Sequence, residues 1–233
     1  MVYILIFLFS LNIWAKEKGA FYSWGLNSLG QLGNGEDDNS LFIPSLSLLE
    51  DDIIQISAGY QHCLALMEDG TVLAWGNNFY GQLGNGKSGE WEYEKFPVPV
   101  VGLNDIVEVS VGGYHSLALR KDGTVWAWGN NSSGQLGNGV LIEECGYGSG
   151  VIKELIPIKV MKIEKAKKIS AGRDHSLSLT EDGKVWMWGL IIDGWPTDWC
   201  LSLPQEVENL ERVKKISAGC NFSLALKEDG TVW

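Results

Sequence analysis

Three histidines, His62, His115 and His175, are the only ones in the chain. Three imidazoles could make a catalytic zinc site or supply a general base. Their spacing argues otherwise. Ser57, Gly59, His62, Leu64 and Leu66 return as Ser110, Gly112, His115, Leu117 and Leu119, then as Ser170, Gly172, His175, Leu177 and Leu179. They return again as Ser217, Gly219, Phe222, Leu224 and Leu226. A phase that accepts phenylalanine serves structure, and equivalent side chains of successive repeats lie a repeat-width apart. The histidines are therefore read as buried structural residues. Asp69, Asp122, Asp182 and Asp229 each precede a glycine at a fixed place in the repeat, which is turn chemistry. Glu36, Asp37, Asp38 and Asn39 carry oxygen ligands of the kind calcium takes, but without the central glycine and trailing glutamate of a calcium loop. GxSxG, HExxH and CxxC patterns are absent, so no catalytic, cofactor-binding or metal-binding residue is assigned.

The elements that carry these residues follow from the same repeat. Its serines are 53, 60 and 47 residues apart, and periodicity on this scale is the signature of stacked architectures. Each Ser-x-Gly strand leads through an Asp-Gly pair into a second apolar run, TVLAWG, TVWAWG or KVWMWG, and Asp-Gly between two such runs predicts a hairpin. Along the second run Trp126 and Trp128 share one face while Val125 and Ala127 share the other, so both faces are apolar. A sheet greasy on both sides needs neighbours on both sides, which radially stacked blades provide. Next comes GxNxxGQLGNG, at Gly81 to Gly86 and Gly134 to Gly139 for example. With no following Lys-Ser/Thr it is a structural loop, pinned by Leu32, Leu83 and Leu136, and not a phosphate cradle. In the fourth repeat LIIDGWPTDWC replaces it after Gly189, so that edge must be finished differently. The fold class is all-β: a β-propeller of about four blades, three full copies of the repeat with a half copy at each end. The last copy stops mid-strand at Trp233, which predicts part of a larger ring.

The connectors between repeats diverge, and at 21, 23 and 30 residues they are long. They hold Trp91, Tyr93, Tyr147, Trp195 and Trp199, aromatic residues without counterparts in sister copies. Loop tryptophans and tyrosines on a rigid scaffold are the usual anchors of protein interfaces, and these five are the candidate protein-binding residues. Cys63 occupies a phase that holds Ser116, Ser176 and Ser223 elsewhere, so it reads as a small buried residue. Cys145 and Cys200, in the two longest insertions, are the pair that could bridge.

The chain has a formal charge of −11, which opposes a phosphate-lined partner, so nucleic acid is not expected. Lys159, Lys162, Lys165, Lys167 and Lys168 read as a solvated edge. Residues 2–14 are almost wholly apolar and Ala15 precedes a charged stretch, the outline of a signal peptide or an N-terminal anchor over 1–15. The run is too short to span a membrane as a helix. The expected domains are thus 1–15 and the propeller repeats of 16–233, and the expected location is secreted or cell-envelope, with the cytoplasm as the alternative.

From about Gly19 to Trp233 the block resembles the repeat of the regulator of chromosome condensation family. The resemblance implies a propeller, about seven blades in the complete ring, and a role as an interaction platform. Some similar propellers are secreted inhibitors that use aromatic loop residues. The main expectation is therefore a non-catalytic, exported, protein-binding propeller. The family's founding member implies guanine-nucleotide exchange on a small GTPase as the alternative, and a propeller enzyme with a central-channel site is the second alternative. A photoreceptor role, known for a plant relative, would need tryptophans in the segment holding Tyr60, Gly113, Arg173 and Cys220, where none occurs.

Overall fold

The computed structural model describes residues 21–37, 40–46, 52–142, 151–191 and 199–233. Segment 1–15, read as a signal peptide or anchor, lies outside them. Three four-stranded antiparallel sheets follow one another. The first holds β3 (Ile53–Ala58), β4 (His62–Met67), β5 (Val72–Asn77) and β6 (Tyr93–Pro99). The second holds β7 (Ile106–Val111), β8 (His115–Arg120), β9 (Val125–Asn130) and β10 (Lys153–Lys159). The third holds β11 (Ala166–Ala171), β12 (His175–Thr180), β13 (Val185–Ile191) and β14 (Trp199–Glu206). A two-stranded sheet precedes them, β1 (Tyr22–Leu26) with β2 (Ser40–Leu46), and another follows, β15 (Val213–Ala218) with β16 (Ser223–Lys227). Within each sheet the strands run in chain order, so each repeat is one blade. Adjacent blades meet through β3, β7, β11 and β15, which places these strands at the centre of the fan.

The Asp-Gly hairpins differ in one detail from the two-residue turn that their sequence suggests. The Met67 N–H donates to Thr71 O at 2.9 Å and the Gly70 N–H to Met67 O at 3.0 Å, with Gly70 at φ 83°. Only the glycine is left-handed. Asp69 instead accepts the Thr71 N–H at 2.8 Å, as Asp122 accepts that of Thr124 and Asp229 that of Thr231. This is a three-residue hairpin with a bulged glycine, in which the aspartate caps its own turn.

Blade stacking fills both faces as the alternation requires. Trp128 is fully buried against Leu64, Leu66, Val72 and Leu83 of the preceding blade, while Val125 and Ala127 pack toward Trp188 of the following one. The GxNxxGQLGNG loop is rigid and internally bonded. Asn78 Oδ1 accepts the Leu83 N–H at 3.1 Å and its Nδ2 donates to Asn85 and Lys87, an arrangement repeated at Asn131. In the fourth repeat, where that loop is missing, β13 and β14 extend instead, with Leu190 paired to Cys200 and Ile191 to Trp199.

The histidines hold blades together. Nε2 of His62 lies 2.9 Å from Ser116 Oγ, that of His115 2.8 Å from Ser176 Oγ, and that of His175 3.0 Å from Ser223 Oγ. Each serine belongs to the next repeat. Ser116 and Ser176 donate their hydroxyl protons to the carbonyls of Gln82 and Gln135, which also receive the indole N–H of Trp128 and Trp188. Cys63 takes the serine's place at the first junction, with Sγ 3.4 Å from Gln31 O beside the Trp75 indole N–H. At the centre, Ser57, Ser110 and Ser170 accept the backbone N–H of Val111, Ala171 and Ala218. The blades stand so close here that a methyl group on Gly112 would strike both the Gly172 carbonyl and the His115 ring. Glycine is required at this phase for space.

A candidate protein-docking face

The turns joining the first two strands of each blade open on one face, around the centre. They are bonded to one another. The Gly113 N–H is shared between the carbonyls of Gly172 and Arg173, and the Arg173 N–H donates to Cys220 O at 3.1 Å. Each turn keeps its flanking glycine and, in three of four, its histidine, yet the two residues between change every time: Tyr60-Gln61, Gly113-Tyr114, Arg173-Asp174, Cys220-Asn221. The fixed positions hold the blades, and the variable ones lie at the mouth of the central channel, with Tyr60 and Asn221 exposed, Gln61, Tyr114, Arg173 and Cys220 half-buried, and Asp174 buried.

These variable residues meet across blades. Tyr60 Oη lies 3.0 Å from Cys220 Sγ, joining the turn of the first four-stranded blade to that of the last two-stranded unit. The Tyr60 and Tyr114 rings pack edge-on at 6.0 Å, Tyr80 and Tyr114 at 5.3 Å, and Phe79 and Tyr80 at 4.6 Å. Arg173 donates through Nε to the buried Asp174 carboxylate at 2.7 Å. Together Tyr60, Phe79, Tyr80, Glu90, Tyr114 and Arg173 line a cavity of about 550 Å³. A second cavity, of about 480 Å³, continues into the centre past Val111, Cys220 and Phe222. Burial, and then the hydrogen bond with Cys220, push the Tyr60 phenol up to about 12, and burial likewise raises Tyr80. Both stay neutral aromatic surfaces at physiological pH. This arrangement suits recognition, with ring faces for packing and a fixed ion pair for orientation.

The aromatic residues singled out from the connectors fare differently. Trp91 is 84% exposed and follows Glu90 at the edge of the larger cavity, and Trp199 is 60% exposed at the start of β14. They belong to different blades. Tyr93 is half-buried in β6 and donates to Asp37 Oδ2 at 2.8 Å. Tyr147 and Trp195 lie outside the described residues. So does Cys145, while Cys200 is disulfide-bonded and Cys63 and Cys220 are free. Asp37, from the acidic run weighed for calcium, is engaged by Lys95 Nζ at 2.8 Å, which with Tyr93 holds its carboxyl below the usual range. Lys168 reaches Glu108, and the other lysines of its cluster are solvated. Among the described residues no group of three or more His, Cys, Asp or Glu side chains could hold a metal ion, and no helix is long and apolar enough to cross a membrane. The mouth tyrosines were not singled out by sequence reasoning. The signal available was their variability at two positions of an otherwise regular turn.

Comparison with known proteins places these features. The family model described as the regulator of chromosome condensation (RCC1) repeat matches residues 18–66, 69–119 and 122–179, and a second model of that repeat matches 53–82 and 106–135. The human probable E3 ubiquitin-protein ligase HERC6 is 38% identical over 180 residues, which are 74% of this chain and 17% of HERC6. The Arabidopsis thaliana mitochondrial RCC1 domain-containing protein RUG3 is 33% identical over 187 residues, 76% of this chain and 39% of RUG3. The chain thus spans well under half of these relatives. Among solved structures, Saccharomyces cerevisiae Prp20p, described with its binding to Gsp1p and histones, superposes with a TM-score of 0.73 at 22% identity, covering 89% of this chain and 52% of Prp20p. Human WBSCR16 gives 0.76 at 22% identity, covering 96% and 58%. Ubiquitin ligases, a mitochondrial protein and a histone-binding protein work inside cells. The expectation of a secreted or cell-envelope protein is overturned by these relatives, which favour the cytoplasmic alternative.

Proposed function

Because this chain belongs to the RCC1 repeat family, we propose that its non-catalytic, protein-binding propeller docks its partner on the channel-mouth face. One observation carries the reading: the turn residues that vary from repeat to repeat gather on a single face, while those that repeat are consumed in holding blades together. A formal charge of −11 argues against nucleic acid as the partner. The ligase activity of HERC6 is not carried over, since the chain spans 17% of that protein. A second reading is nucleotide exchange on a small GTPase, supported by the likeness to Prp20p, which binds Gsp1p.

A photo-crosslinking residue placed at Tyr60 should capture one discrete protein in cells, and the same residue at Phe96 on an outer strand should not. Capture from Phe96 alone would place the docking surface elsewhere. For the exchange reading, purified chain should accelerate release of a fluorescent guanine nucleotide from the captured GTPase by about tenfold or more. Release that is unchanged, or a captured protein that binds no guanine nucleotide, leaves docking alone.

A further inference from the structure

The aromatic cavity lies at one blade junction, and the sister loop at the next lacks its rings, which separates what the fold needs from what it does not. At the second junction the loop residues equivalent to Phe79 and Tyr80 are Ser132 and Ser133. That loop closes equally well: Ser132 Oγ bonds Asn130 Oδ1 at 2.8 Å, and the Ser133 N–H donates to Gln135 Oε1 at 2.8 Å, as the Tyr80 N–H does to Gln82 Oε1. The loop therefore does not require rings at 79 and 80. Their stacking with Tyr114 and Tyr60 builds a surface that the repeat can do without.

Three observations define the ligand. The wall combines the rings of Tyr60, Phe79, Tyr80 and Tyr114 with the amides of Gln61 and Asn77, and its rim carries the exposed carboxylate of Glu90. The cationic residue in the wall, Arg173, is already matched by the buried Asp174 at 2.7 Å. The cluster also holds a cation of the chain itself, since Lys153 Nζ sits 5.8 Å from the Phe79 ring centroid while donating to Phe79 O at 3.2 Å. An electron-rich ring face attracts ammonium and guanidinium groups, and more strongly where water is thinned. The net charge of −11 adds a long-range attraction of the same sign.

From these observations we propose that the cavity bounded by Tyr60, Phe79, Tyr80, Tyr114 and Glu90 receives a lysine or arginine side chain from a basic segment of the partner protein. The inference rests on the reading that this face docks a protein, and it names the chemistry that face selects.

The test titrates the full chain with hexa-arginine, hexa-lysine and hexa-glutamate peptides, following tyrosine fluorescence and calorimetric heat at several salt concentrations. Two variants accompany the native chain. The double substitution Phe79→Ser with Tyr80→Ser copies the sister loop and so keeps the fold, which thermal unfolding verifies. Glu90→Gln removes the rim charge alone. Basic peptides should bind, hexa-glutamate should not, and the double variant should bind basic peptides about tenfold more weakly or worse. Glu90→Gln should weaken binding by a smaller factor that shrinks with salt. Equal binding of hexa-arginine by native chain and double variant would overturn the proposal, because attraction would then be diffuse surface charge. Preference for hexa-glutamate would overturn it as well. Neither result touches the docking reading, which stands or falls on crosslinking from Tyr60.

Discussion

At the scale of single residues, the proton positions in the blade junctions follow from counting donors. Ser116 spends its one hydroxyl proton on the Gln82 carbonyl, so it must accept from His62 Nε2–H, and Nδ1 is left as a bare acceptor. Nδ1 of His62 and of His115 is accordingly buried with no partner. Burial holds both imidazoles near 3, far below their ordinary 6.5. Glu108 is a different case. At the equivalent phase Gln55 clamps the next blade through both amide atoms, Nε2 to Val109 O and Oε1 from the Val109 N–H, each at 2.9 Å. Glu108 meets the Ile169 backbone and, at 3.5 Å, Lys168, but it cannot donate as the amide does, its Oε2 is buried without a hydrogen bond, and burial lifts its carboxyl to about 7. Its stabilising contribution is present below 4.5 and is lost as pH rises through 7. Glu108→Gln should therefore raise stability at pH 8 by about 1–3 kcal/mol, with little change at pH 5. Paired denaturation curves at the two pH values check this, and equal gains at both would refute the account of Glu108.

At the scale of elements, the outer strands show how each blade ends. Pro44, Pro97, Pro157 and Pro204 all fall in the stretch where a sheet's last strand loses register with its neighbour. Proline offers no N–H to an incoming strand, and the bulge turns the edge away, so the rims resist pairing with other sheets. Pro157→Val should restore a donor at the β10 edge and promote self-association. Sedimentation velocity across a concentration series reads this, and a variant as monomeric as the native chain would assign the prolines another role. The strands, hairpins and buried tryptophans were legible in the sequence because packing imposes a period on them. The histidine partners were not, since Ser116, Ser176 and Ser223 read as ordinary strand residues until the next blade is placed against them. The mouth tyrosines stayed hidden for the opposite reason: they lie at positions where the repeat imposes nothing. The connectors drew attention by composition, yet of their aromatics Tyr93 proved to be tied to Asp37.

At the scale of the whole molecule, the same groups set the response to acid. Between 6.5 and 4.5 the unfolded chain takes up protons on histidines that the folded chain keeps neutral, so stability falls as pH falls. Glu108 works in the opposite direction over much of that range, which leaves a net loss of about one to two protons' worth, or about 1.4–2.8 kcal/mol per pH unit. Below 4.5 the Glu108 effect is spent, and the turn aspartates Asp69, Asp122, Asp182 and Asp229, all held below their usual range, add to the loss. The midpoint of urea unfolding should drop from pH 6.5 to 4.5 and more steeply beneath. A midpoint that is flat or rising with acid over that first interval would contradict the neutral-histidine junctions. Because three junctions pair an imidazole with a hydroxyl encoded some fifty residues downstream, the inheritable module is the seam and not the blade. A breakpoint anywhere between His62 and Ser223 splits at least one such couple between parents, and exchanging one whole repeat splits two. Chimeras of this propeller should accordingly depend on both parents keeping histidine and serine at these phases, wherever in the blade the cut falls.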